Sequence, residues 1–232
     1  MAALLQADWR LIRRDGIVFM AWLGPLALLL FLAAAAPIAQ RYMDVEVFLP
    51  WVVGFAAALV PYIPGAGVGF LILDEMDHGL IRFYAVSPLR LKGYLGYRLA
   101  AAWLPAAVYL ALLPVILAWV EVPIFAYALH AGAAALGAPL MALALAVLAG
   151  NRVEGLAVSK GLGITLAAPL LPLWLVEPWW WVALLLPQYW VVHGIVRLIS
   201  GDGGHSAAAV WNLIFHGLWL ALLLRTLNRK VF

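Results

Sequence analysis

The chain has 232 residues, of which 67% are hydrophobic and 11% charged, with a mean hydropathy of +1.04. Soluble domains carry roughly 45–50% apolar and about 25% charged residues, so this composition excludes an ordinary soluble protein and specifies an integral membrane protein. The absence of cysteine excludes disulfides, thiolate metal sites and cysteine nucleophiles, and the formal net charge of +3 matters less than where the charges fall.

The amino-terminal "LLQADWRLIRRD" places Leu5, Trp9 and Ile12 on one side of a helix, with Gln6, Arg10, Arg13 and Arg14 largely elsewhere. That pattern predicts an amphipathic helix over about 3–14, lying in the membrane interface. The first apolar run begins at Gly16 and lasts too long for a cleaved leader, so it is expected to stay as a spanning helix. Roughly 20 apolar residues cross a bilayer, and the predicted spans are 16–39, 49–73, 99–120, 125–149, 161–177 and 206–227.

Residues 178–200, interrupted by "VEPWWW", "LLPQYW" and "HGIVRLIS", are expected to dip into the membrane from the outer side without crossing. Six spans with both termini inside put all the Lys and Arg on the inner side except Arg41 and Arg197, of 14 in total. A seventh span would move the "RTLNRK" tail outside and weaken the positive-inside distribution. Trp179, Trp180, Trp181, Tyr189 and Trp190 fit an outer aromatic belt.

Catalytic patterns are absent. "GAGVGFLIL" at 65–73 has the glycines of a phosphate loop but neither its lysine nor its hydroxyl, so ATP hydrolysis by that route is excluded. The five histidines, at 78, 130, 193, 205 and 216, are scattered singly, no H-E-x-x-H occurs, and no metal site is expected. There is no G-x-S-x-G. The spans hold almost no ionisable residue that could carry a coupling ion, only His130 and His216. Any energy input is then expected to come from elsewhere, through a partner pushing on the inner surface of the membrane domain.

The most polar run, "LDEMDHGLIRFYAVSPLRL" at 73–91, has the form of such a surface. Asp74 is expected to cap a helix over about 74–87, with Glu75 and Asp77 in its first turn. Met76, Leu80, Phe83 and Tyr84 form one apolar side, and Ser87-Pro88 ends that helix and starts the basic "LRLKGYLGYRLAAAW". A second reading remains open here: a membrane-embedded, lipid-modifying enzyme with Asp74, Glu75, Asp77 and His78 as an acidic interfacial site.

The spacing of Glu75, Gly79, Leu80, Ile81, Tyr84, Ser87 and Pro88 resembles the E-x-x-x-G-T-L-x-x-L-x-x-[ST]-P pattern of type 2 ABC exporter permeases, with Leu80 where that family has threonine. The six-span plan, the interface helix and the re-entrant segment resemble the same family over nearly the whole chain. "NRVEGLAVSKGLG" at 151–163 is similar to a segment of its small members, including fluoroquinolone export permeases.

The resemblance implies an all-α permease domain and a coupling helix docked on a separate nucleotide-binding subunit. Glu75, Gly79, Leu80, Phe83, Ser87, Pro88 and Leu89 would lie nearest that contact. It further implies ATP and magnesium in the partner only, no cofactor or nucleic acid on this chain, and a dimer of two copies or of homologous permeases. A substrate path would run along spans two and five, near Val60, Tyr62, Ile63, Phe70, Leu170, Leu173 and Trp174, and suit a hydrophobic or amphipathic cargo.

Overall fold

The computed structural model describes residues 8, 10, 14–42, 44, 47–87, 90–117 and 122–231. Among them the regular structure is helical, with no strand. In chain order the α-helices are α1 (Gly16–Ala39), α2 (Leu49–Asp77), α3 (Leu80–Val86), α4 (Arg90–Ile116), α5 (Ile124–Ala134), α6 (Gly137–Leu148), α7 (Arg152–Gly163), α8 (Leu171–Trp174), α9 (Pro187–Ile199) and α10 (His205–Val231). Two 3-10 segments, Ile164–Leu170 and Trp179–Leu185, join the later ones. Six membrane-length units result: α1, α2, α4, α5 with α6, α7 through α8, and α10.

Local chemistry sets the boundaries. Asp15 Oδ1 accepts from the Val18 amide at 3.3 Å and starts α1, while Pro50 opens α2 where its missing N–H costs nothing. Several ends depart from the sequence expectation. The second span does not stop at 73, because no helix breaker precedes Gly79, and α2 continues to Asp77. The third begins at Arg90 rather than 99, since the basic helix after Ser87 is continuous with the apolar one.

The fifth span begins at Arg152 rather than 161. The Asn151 side chain accepts from the Glu154 amide at 2.9 Å, and Glu154 Oε2 accepts from the Gly150 amide at 2.7 Å, a reciprocal cap at the helix start. Further along, the "AAPLLPLW" prolines coincide with tightening into 3-10 turns, whereas Pro61 and Pro64 leave α2 unbroken. Residues 179–199 form two arms meeting at 88°. The carbonyls freed at that bend are satisfied by indole N–H groups, Trp190 on Leu184 and Trp219 on Leu185, each at 2.8 Å.

α2 is the central element, packed against α1, α4, α6 and α9. Lipid offers no hydrophobic drive between helices, so association relies on close backbone approach through small residues. "GAGVG" supplies them: a Cβ on Gly65 would sit 2.4 Å from the Ala138 carbonyl oxygen, and one on Gly69 2.7 Å from Leu145. Gly67 faces the other way, with Ala21 Cβ 2.3 Å from a virtual Cβ. The glycines that resembled part of a phosphate loop are the contact surface that seats α2 between α1 and α6.

Candidate functional site

Polar side chains gather at the end of the bundle where α1 and α4 start, α2 and α6 end, and α10 terminates. The expected cap at Asp74 does not form. Asp74, Glu75 and Asp77 occupy the last turn of α2, where the helix dipole disfavours negative charge. Basic groups from other elements compensate. Arg98 of α4 donates Nε to Glu75 Oε2 at 3.1 Å and Nη2 to Glu75 Oε1 at 2.5 Å, a fork on one carboxylate. Its Nη1 reaches Asp8 Oδ2 at 2.7 Å.

Arg98 is only 2% exposed, and a buried charge persists only when paired and hydrogen-bonded. Tyr94 donates its hydroxyl to Glu75, and Tyr97 donates to Asp8 at 2.5 Å, while both rings flank the guanidinium at 5.7 and 5.4 Å. A second node lies beside the first: Arg152, at the start of α7, pairs with Asp15 before α1 and approaches Asp74 at 4.0 Å. Lys230 closes the set by donating to the carbonyls of Ala146, Val147 and Ala149 at the end of α6.

These nodes carry α3. The chain reverses after α2 at Gly79, whose φ of +68° lies in the left-handed region that glycine adopts without penalty. Ser87 then ends α3, its hydroxyl donating to the Tyr84 carbonyl at 2.8 Å. Ile81 is buried, and Tyr84 stacks on Tyr94 with ring centres 4.9 Å apart. Burial, then the Glu75 carboxylate, holds the Tyr84 hydroxyl above its ordinary pKa.

The apolar side expected from Met76, Leu80, Phe83 and Tyr84 is therefore divided. Ile81 and Tyr84 face the bundle, and Leu80, Phe83 and Val86, at i, i+3 and i+6, face away with 42%, 65% and 86% exposure. Pro88 and Leu89, Trp9 and Arg13, and most of the expected interface helix lie outside the described residues. Arg10 and Arg14 are exposed.

The four residues considered as an acidic catalytic cluster do not converge. Glu75 is committed to Arg98 and Tyr94, whereas Asp74 turns to Arg152, with His78 Nδ1 3.9 Å from its carboxylate. Among the described residues no group of three or more His, Asp or Glu could hold a metal ion.

The expected substrate-path residues separate as well. Tyr62, Ile63 and Phe70 line an open cleft of about 500 Å³ between α1 and α2. Val60 is fully buried in the core, and Leu173 and Trp174 project outward beyond Leu170 at the far end of the fifth span. Tyr62 also lines a second, half-open cavity of about 200 Å³ between α2, α6, the α7 region, α9 and α10. His130 and His216 sit deep in the bundle, the latter with Nδ1 3.0 Å from the Asn212 carbonyl oxygen.

Arg98 is the residue that composition did not reveal. Its position in "GYRLAAAW" made it one of several inner basic groups, and only the packing of α2 on α4 turns it inward.

A bundle of six membrane-length helical units with a polar, ion-paired end defines a multi-pass α-helical membrane protein. The chain belongs to the Rv2686c-like family, described as fluoroquinolones export permease proteins, which matches residues 8–224. It is 27% identical to the fluoroquinolones export permease protein Rv2686c of Mycobacterium tuberculosis H37Rv over 229 residues, 94% of this chain and 84% of that protein. The counterpart MT2760 of strain CDC 1551 matches with the same identity and coverage. No solved structure matches.

Proposed function

We propose that this chain is the transmembrane subunit of an ATP-driven ABC exporter that moves a hydrophobic or amphipathic drug across the cytoplasmic membrane. The carrying observation is α3: a short helix held at the polar end by Tyr84 on Tyr94 and by the Glu75–Arg98 fork, presenting Leu80, Phe83 and Val86 outward. An apolar stripe at that spacing suits a groove on a nucleotide-binding subunit. Membership in a family named for fluoroquinolone export supports the cargo class.

ATP and magnesium then belong to the partner, consistent with a sequence that lacks a phosphate loop. Two copies, or one copy with a homologous permease, carry two such subunits. Their ATP-driven closure shifts the membrane dimer between two arrangements through the nucleotide's higher affinity for the closed one. The Lys and Arg distribution supports cytoplasmic termini, and the 88° bend supports an outer re-entrant segment at 179–199.

Co-expression with a nucleotide-binding subunit tests this. The permease alone is expected to hydrolyse no ATP, the wild type to co-purify with the subunit, and Leu80→Asp with Phe83→Asp to lose it while remaining monodisperse. Undiminished co-purification and transport by that double variant would sink the assignment.

A further inference from the structure

Lys160 is set apart by its depth. The positive-inside distribution groups it with the inner basic residues, yet it lies a little over two turns past Arg152, about 12 Å along α7. The carbonyl of its neighbour Ser159 accepts from the Tyr62 hydroxyl, and a Cβ on Gly163 would lie 3.6 Å from the same oxygen. Tyr62 stands at the middle of α2, so this turn of α7 is near the midplane of the apolar layer. The four-carbon stem of a lysine is shorter than the half-thickness of about 15 Å that separates the midplane from the interface.

Nothing in the chain neutralises the ammonium there. Lys160 is exposed, and among the described residues no hydrogen bond or ion pair holds it. The acids lie elsewhere in the sequence: 8, 15, 74, 75, 77 and 154 near the inner ends of spans, and 44, 46, 121, 177 and 202 in connections that the six-span plan puts outside. A second copy packed on this face would therefore bring no carboxylate to that depth either. An ionisable group in the apolar layer is costly, and such groups mark pathways for charged or polar molecules.

The surface around Lys160 is shaped for an amphipathic partner. Leu156 and Ile164, one turn before and after it, are 42% and 75% exposed. Ala157 and Gly161 between them are small and exposed, and a Cβ on Gly161 would meet nothing within 4 Å. The ammonium is thus reachable between two apolar side chains. We infer that Lys160 is the recognition point for the acidic group, a carboxylate or sulfonate, of an amphipathic molecule whose apolar body lies along Leu156 and Ile164. A phospholipid phosphate stays at the interface, too far out for this lysine. That the molecule is the exporter's cargo rests on the assignment above; the anion contact itself does not.

The test is fluorescence titration of the purified permease in phosphatidylcholine nanodiscs, with the signal of empty discs subtracted. The probes are 8-anilinonaphthalene-1-sulfonate and N-phenyl-1-naphthylamine, the same skeleton without the acid. Wild type is expected to bind the sulfonate saturably. Lys160→Met is expected to weaken it about tenfold, as for loss of one charge-assisted hydrogen bond, and to leave the amine unchanged. Lys160→Arg is expected to keep the sulfonate, and Lys92→Met, which removes the same charge from the exposed inner start of α4, to change neither probe. The thermal midpoint of Lys160→Met is expected to equal or exceed that of wild type, because an unpaired charge leaves the apolar layer.

Absence of saturable sulfonate binding to wild type, or equal binding by Lys160→Met, would overturn the site. A lowered midpoint in Lys160→Met would give the lysine a structural partner and overturn it too. Phosphatidylglycerol retained in native mass spectrometry by wild type and lost by Lys160→Met would hand the lysine to a lipid headgroup instead. Loss of the nucleotide-binding subunit in co-purification would remove the exporter assignment and leave these binding results intact.

Discussion

Arg98 of α4 and Glu75 of α2 are joined by two hydrogen bonds, Nε to Oε2 at 3.1 Å and Nη2 to Oε1 at 2.5 Å, with the guanidinium almost wholly out of solvent. The pair ties the last turn of the central helix to the first turns of the next span, and α3 lies between them in sequence. Arg98→Ala leaves the Glu75 carboxylate with Tyr94 and the Asp8 carboxylate with Tyr97 as remaining partners and no counter-charge between them, so a loss of about 3–5 kcal/mol is expected. Arg98→Lys keeps the charge without the fork and is expected to fall between. Thermal unfolding monitored by size-exclusion chromatography checks both, and an Arg98→Ala variant as stable as wild type would show that the pair is incidental.

Gly79 makes a separate prediction, because its positive φ has no steric neighbour within 4 Å and the penalty is one of backbone conformation alone. Gly79→Val is expected to cost about 1–2 kcal/mol and to misplace α3, while Gly79→Asn, which tolerates the left-handed region, costs less. Equal stability and equal ATPase stimulation in the two variants would contradict this.

Helix packing separates two glycines of similar sequence character. Gly65→Val must push α2 away from the Ala138 backbone and is expected to cost about 1–3 kcal/mol or more. Gly137→Ala meets only ordinary contacts and is expected to be neutral or slightly stabilising. Denaturation midpoints in one detergent rank the two, and a reversed order would refute the packing account of "GAGVG".

The cap at the fifth span gives a smaller effect. Asn151→Ala removes the acceptor for the Glu154 amide and is expected to cost about 1 kcal/mol, with Asn151→Asp or Asn151→Ser near wild type. Hydrogen exchange in the first turn of α7 reads it directly, and unchanged protection in Asn151→Ala would contradict it.

Much of the architecture was legible because spanning a bilayer imposes length and hydrophobicity on each segment. The helix boundaries were less so. "NRVE" carries a capping signal that places the fifth helix start at Arg152, but hydropathy alone favours the apolar residues after Gly161. Asp74, Glu75 and Asp77 read as a helix start because acids favour that end, and only Arg98 and Arg152 from distant segments make the opposite end tolerable. Leu80 and Phe83 were legible as candidates for an exposed contact, whereas the inward turn of Ile81 and Tyr84 depended on Tyr94. The half-open cavity beside Tyr62 draws on five elements, which no local pattern could have assembled.

The chain's lack of cysteine makes the most direct measurement simple: Phe83→Cys introduces a single thiol on the exposed face of α3. Its rate of maleimide labelling is measured in membranes with and without the co-expressed nucleotide-binding subunit, beside a Tyr42→Cys control in the exposed turn after α1. Coupling through α3 predicts that the subunit slows labelling at position 83 by about tenfold or more while the control rate stays the same, as expected for a residue buried in a docked interface. Equal labelling of Phe83→Cys in both membranes, with the complex shown to be intact, would contradict the account.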